Sequence, residues 1–319
     1  MEMASNRRPS HSTTSSFHLG EIYTMDHTLQ VLANLAVVVF VISSMLSMGL
    51  SLTMQQILAP LRNGRLVILA LVLNFIVVPA LAFLLAKTIL ANQQDLGTGM
   101  ILLGTAAGAP FLPKLTQVAK GNIAFAVGLM VLLMIVTIIY MPLVLPLLLT
   151  GVSVNPLQIA TSLVVLMLIP LAIGLFMKAR YTSAAAGLQP VMTQASNYSI
   201  ILVLALMLVL NFSNVISVIG TGGILALVIF IAISFILGYF VGGIGSDSDI
   251  KRVAGLGTAQ RNVSAALVVG TQNFSSQPNV TVMLVVGALL MLVILMVTSG
   301  EMGRRGQSKA ADSTPAKAT

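Results

Sequence analysis

About nine stretches of roughly 20 or more apolar residues follow one another along this chain, near 29–52, 66–90, 98–118, 122–149, 155–178, 195–213, 221–245, 250–271 and 279–299. Coiled as α-helices, runs of that length match the hydrocarbon thickness of a bilayer. Hydrocarbon offers no water to the backbone N–H and C=O groups, and a helix satisfies them within its own segment. The composition agrees, with 57% of the 319 residues hydrophobic, 8% charged and a mean hydropathy of +1.01. That is more apolar surface than a soluble domain can bury. The expected fold class is an all-α polytopic membrane protein.

A net charge of +8 and a pI near 10.1 raise the question of nucleic acid. The basic residues are scattered singly between apolar spans rather than gathered on one face, which excludes that partner. The chain has no cysteine, so it holds no disulfide and no thiolate metal site. Its three histidines, His11, His18 and His27, all precede the first span. Alternate loops carry Arg62 and Arg65, Lys120, Lys178 and Arg180, then Lys251 and Arg252, and the final segment adds Arg304, Arg305, Lys309 and Lys317. The other side has only Arg7, Arg8 and Lys87. The positive-inside rule then puts the N-terminus outside and the C-terminus in the cytoplasm, in a multi-pass protein of the cell (inner) membrane. Residues 1–27 read as a polar extracytoplasmic tail, disordered over 1–24 and without a signal-peptide core, 28–300 as the membrane domain and 301–319 as a solvated cytoplasmic tail. The run Ser246-Asp247-Ser248-Asp249 lacks the remaining ligands of a calcium loop and reads as a cytoplasmic turn.

Two spans are interrupted. In the third, Gly104, Gly108, Pro110 and Pro113 cluster, and proline removes a backbone donor and clashes with the preceding turn. In the eighth, Gly255 and Gly257 precede the polar triplet Gln260-Arg261-Asn262. Gly104-Thr105-Ala106 recurs as Gly257-Thr258-Ala259, and the same offset superposes the neighbouring spans in order. An odd number of spans separates the copies, so equivalent helices run in opposite directions, as in the inverted repeats of secondary transporters. In that architecture discontinuous helices lie near the midplane and their free ends meet the substrate.

Of all the ionisable side chains only Lys114 and Arg261 fall inside apolar stretches, and no carboxylate accompanies either. A charge at a helix centre costs about 2.5–3.5 kcal/mol on the insertion scale, so such residues mark function. Two buried cations point to an anion as substrate. With no His, Cys, Asp or Glu in the spans, an intramembrane enzyme has no nucleophile, acid–base pair or metal cluster to work with.

The chain resembles the bile acid:sodium symporter family from about Leu46 onward. The resemblance rests on Met48-Gly49-Leu50-Ser51-Leu52-Thr53, on Asn74 followed by Phe75 and Pro79, on Ala119-Lys120-Gly121-Asn122, and on Gln260 with Ala265-Ala266 beyond it. It implies a core domain (approximately 66–149 and 221–299) with two crossed broken helices, a panel domain (approximately 29–52 and 155–213), and substrate bound between them. It also implies two sodium sites, whose ligand positions here carry Leu112 and Pro113, Ala126 and Met130, and Leu256; Gln260 remains, and Asn74 replaces a usual glutamine.

Fixed cations are therefore expected to replace the electrostatic work of sodium, without a required cofactor or metal. Arg261 aligns with an asparagine at the start of the second half-helix, where a guanidinium fork suits a carboxylate, phosphate or sulfonate. The candidate substrate-binding residues are Arg261, Lys114, Asn262, Gln260, Asn74 and Pro110. Other readings stand beside these. Arg261 could cap carbonyls or snorkel. Lys114 could snorkel, carry a proton in proton coupling, or pair with the anion. Asn74 and Gln117 could be interhelical hydrogen-bond partners. The expected function is alternating-access transport of a small or amphipathic organic anion, independent of sodium. A sodium-coupled symporter with relocated ligands and a non-transporting membrane sensor are the alternatives.

Overall fold

The structure is a computed structural model and describes residues 13–58, 62–149, 155–210 and 212–312. The described residues form helices and connecting turns, with no strand among them. In chain order the helices are α1 (Thr13–Ser51), α2 (Met54–Leu58), α3 (Gly64–Thr88), α4 (Gln94–Thr105), α5 (Leu112–Val118), α6 (Ile123–Leu148) and α7 (Pro156–Arg180). They continue as α8 (Thr182–Leu210), α9 (Phe212–Ser217), α10 (Gly223–Gly242), α11 (Ser248–Ala259), α12 (Val263–Asn273) and α13 (Pro278–Asp312). Among the described residues six helices, from α1, α3, α6, α7, α10 and α13, are each long and apolar enough to cross a bilayer. The broken pairs α4/α5 and α11/α12 and the long α8 lie at the other three of the nine expected spans.

Three helix extents differ from the apolar runs. α1 begins at Thr13, so the segment from there to residue 24 is helical rather than a disordered tail; residues 1–12 lie outside the described residues. α8 begins at Thr182, with only Tyr181 between it and the end of α7, well ahead of the apolar run near 195. α13 continues to Asp312, beyond the span that was expected to end near 299. Helical hydrogen bonds need no apolar side chain, so hydropathy marks the part of a helix in lipid and not its whole length. At the end of α13, Glu301 holds Arg304 (3.2 Å) and Arg305 (2.7 Å) at helical spacing.

The helices sort into two packed sets. α1, α7 and α8, the helices of the expected panel, pack together, with α1 lying along both others. Gly49 and Gly174 let the α1 and α7 backbones meet: a Cβ on Gly174 would stand 2.7 Å from Leu46 O and 2.8 Å from Gly49 Cα. The core packs α3 and α13 on α4, and α10 on α11, with α6 covering both breaks. Prolines shape the core helices. In α3 a π-bulge at Leu73–Val77 sends Val78 N–H five residues back to Leu73 O, and Pro79 has no N–H to offer. The carbonyls of Asn74 and Phe75 thus lose their usual donors from residues 78 and 79. Both are turned to use at the centre of the core.

Candidate functional site at the crossing of the broken helices

α4 stops at Thr105 and α5 starts at Leu112, and between them Gly108 has φ +79°. That conformation suits glycine. Space also demands it, since a Cβ here would collide with the α6 backbone at Met134 N and lie 2.7 Å from Met130 O. One hydroxyl fixes the extended segment: Thr137 Oγ1 donates to Ala107 O and accepts from Ala107 N–H, both at 3.0 Å. The second break runs from Gln260 to Asn262, and it lies directly against the first. Asn262 N–H donates to Ala106 O (2.8 Å), its Nδ2 donates to Gly108 O (3.1 Å), and its Oδ1 caps α12 by accepting from Ala265 N–H (3.1 Å). Asn262, wholly buried, is the clasp of the crossing.

Arg261 is wholly buried, and its five donors are all engaged by the protein. Nε donates to Leu103 O (3.0 Å) and Nη2 to Gly104 O (2.7 Å), both in the last turn of α4. Nη1 donates to Thr258 O (3.2 Å) in the last turn of α11 and to Asn74 Oδ1 (2.7 Å). Nη2 also makes a long contact with the freed carbonyl of Asn74 at 3.5 Å. The freed carbonyl of Phe75 accepts instead from the Tyr140 hydroxyl (2.6 Å). Asn74 is oriented by its own amide, whose Nδ2 donates to Ala70 O (3.0 Å).

The electrostatics follow from this placement. A helix C-terminus carries roughly −0.5 charge, and its last carbonyls lack intrahelical donors. Two such ends, of α4 and α11, converge here, and together they balance about one positive charge. The guanidinium supplies that charge and the missing donors at once. A carboxylate is not needed, which accounts for a buried arginine in a core whose spans hold no acid.

The structure thus joins Arg261, Asn74 and Asn262 at one point and gives Arg261 and Asn74 the alternative work of carbonyl capping and interhelical hydrogen bonding. Arg261 has no donor left for an anion, so the direct salt bridge to substrate is replaced by carbonyl capping. Gln260, in the same break, is 7% exposed, and neither atom of its amide bonds to the protein; Oε1 is fully enclosed. Pro110 is half-buried in the first break. Lys114 stands apart, exposed on α5 with Nζ 3.5 Å from Gln117 Oε1, so the two intramembrane cations do not form a pair. A cavity of about 520 Å³ opens at the basic end of the bundle, lined by Arg62, Asn63, Asn122, Phe125 and Ile250 among others, and reaches none of the six expected site residues. Thr137 and Tyr140 were not among those expectations. A tyrosine and a threonine inside an apolar helix, each in need of a partner, were the available signal.

An all-helical membrane core with two crossed breaks is the architecture of a secondary transporter, and the sequence is matched over residues 38–239 by the model of the Sodium Bile acid symporter family. The chain belongs to that family, one of transporters and not of enzymes. Among similar proteins is the probable sodium/metabolite cotransporter BASS3, chloroplastic, of Arabidopsis thaliana, 25% identical over 77% of this chain and 59% of its own length. The Arabidopsis probable sodium/metabolite cotransporter BASS1, chloroplastic, is 24% identical over 73% of this chain and 58% of its own. A third, the probable sodium/metabolite cotransporter BASS2, chloroplastic, of Oryza sativa subsp. japonica, is 33% identical over 41% of this chain and 31% of its own length. The chain therefore spans about three fifths of the length of the first two. The family match ends at residue 239, ahead of the second break.

Sodium, implied by the family, does not suit the side chains at these positions. Ala126 and Leu256 are wholly buried, Leu112 and Met130 nearly so. Leucines close around Gly257, where a Cβ would stand 3.0 Å from Leu112 Cδ2 and 3.3 Å from Leu129 Cδ2. Apolar carbon offers nothing to a hard cation, which takes oxygen ligands. Of the oxygens at the crossing, Leu103 O, Gly104 O, Thr258 O and Asn74 Oδ1 accept from the guanidinium, Ala106 O and Gly108 O accept from Asn262, and Gln260 Oε1 is left without a partner.

Proposed function

We propose that this protein is a secondary active transporter that carries a small or amphipathic organic anion by alternating access between core and panel, with Arg261 as a resident cation in place of bound sodium. The observation that carries this reading is the wholly buried guanidinium donating to the C-terminal carbonyls of both α4 and α11. A mobile cation at that point would neutralise the same two helix ends and leave again in each cycle, whereas a tethered one remains through all of them. Arg261, Asn74 and Asn262 then organise the crossing. The unpaired amide of Gln260, the half-buried Pro110 and the exposed Lys114 are left to face the anion, and Lys114 is the group available for proton coupling. The N-terminus is outside and the C-terminus cytoplasmic, in the cell membrane. A sodium-coupled mechanism with relocated ligands is the second reading, favoured by the similarity to probable sodium/metabolite cotransporters.

The two differ in a thermal-stability screen of the purified protein against a panel of organic anions in matched sodium and choline salts. A ligand that binds only the folded state raises the midpoint by mass action. Equal stabilisation by the same anions in both salts is expected. Stabilisation that requires sodium supports relocated ligands instead. Uptake of the identified anion into proteoliposomes then separates a transporter from a sensor.

A further inference from the structure

The panel meets the core mainly toward the sparsely charged end of the bundle. There α12 packs on α1 and on the first half of α7, and α9 packs on α13. The second half of α7 (Ile169–Arg180) packs on α1 and α8 within the panel. Toward the basic end the short α2 bridges to α6.

At the closed end one residue makes two polar bonds across the boundary. Ser162 Oγ, on α7, lies 2.7 Å from Gln272 Oε1 on α12 and 2.8 Å from Gln158 O, its one proton shared between the two acceptors. One turn earlier, Gln158 Nε2 donates to the main-chain oxygen of Gln272 (3.2 Å). That oxygen lies in the last turn of α12, where carbonyls have no intrahelical donor. The other long-range side-chain bonds described above stay within one set, and so does Ser47 with Thr193 (2.7 Å) between α1 and α8. Ser162 is 8% exposed, whereas Gln158 and Gln272 are open to solvent. Neutral amides and a hydroxyl at a wet boundary can exchange each other for water at little net cost, as a contact that must open and close repeatedly requires.

We infer that Gln272 is the latch of the sparsely charged end: its bonds to Ser162 and Gln158 hold panel and core together in the state seen here, and their breakage permits the opposite state. The inference rests on the alternating-access reading, but its test uses no substrate and no ion gradient, so the latch can fail while that reading stands. The chain has no cysteine, so a reporter pair can be placed without background. Leu157 is 75% exposed at the start of α7, and Ser275 is exposed just beyond α12. Spin labels on Leu157→Cys and Ser275→Cys should give a dipolar-broadened spectrum in the parent. In Gln272→Ala, and separately in Ser162→Ala and Gln158→Ala, a narrow unbroadened fraction should grow, the open-to-closed ratio rising roughly fivefold for each bond lost. Identical broadening in the parent and all three variants would overturn the latch. So would a parent spectrum without broadening.

Discussion

Replacing Arg261 with alanine is expected to be the most destabilising single change in the core, lowering stability by several kcal/mol. Four acceptors lose their donor together: Leu103 O, Gly104 O, Thr258 O and Asn74 Oδ1. A buried acceptor left unpaired costs about 1–3 kcal/mol, so even with partial relaxation the total should exceed about 3 kcal/mol. The converging α4 and α11 ends also lose their counter-charge. Arg261→Lys keeps that charge but presents it from one point with three donors, and should fall between the two. Thermal midpoints in detergent measure the order. Low millimolar guanidinium, far below denaturing concentration, should return part of the lost stability to Arg261→Ala by refilling the vacated position. A midpoint unchanged in Arg261→Ala would show that the carbonyls do not depend on the guanidinium.

Gly108→Ala should be the next most damaging, for a different reason. The positive φ of 79° costs an L-residue about 1–2 kcal/mol, and forcing extra volume into a packed site typically adds about 1–3 kcal/mol. The atoms in the way, Met134 N and Met130 O, belong to the α6 backbone and cannot rotate aside. Any displacement of the loop also pulls Gly108 O from Asn262 Nδ2 and loosens the crossing. Gly64→Ala is the matched control, since a Cβ there meets nothing within 4 Å. Its midpoint should stay within about 0.5 kcal/mol of the parent. Equal behaviour of the two variants would mean that the first break is not held as described.

The two breaks were legible because proline and glycine interrupt helices for local reasons that sequence alone exposes. Pro110 and Pro113 end one half-helix and start another, and the triplet Gln260-Arg261-Asn262 has no place on a lipid face. The direction of Arg261 was harder to read. A guanidinium in a break can point at substrate or at the chain, and sequence distance says nothing of the 158 residues that separate it from Leu103 O. A count of unpaired groups would have favoured the chain. Two helix C-termini that meet away from water need donors, and in that neighbourhood only arginine brings five. Asn74 shows the same limit. Its side chain could be judged a hydrogen-bond partner, but the π-bulge ahead of Pro79, which also frees its carbonyl, is a property of the folded helix. The position of Lys114 was not legible either. Proximity in sequence to the first break did not bring it inside, because α5 turns that residue outward.

On the proposed reading the guanidinium of Arg261 does the electrostatic work of a bound sodium ion. Equilibrium binding of radioactive sodium to the purified protein tests it directly, in choline-balanced buffer, without and with the anion found by the stability screen. No saturable sodium binding is expected in either condition. Saturable binding by the unmodified protein, displaced by unlabelled sodium and not by choline, would contradict it.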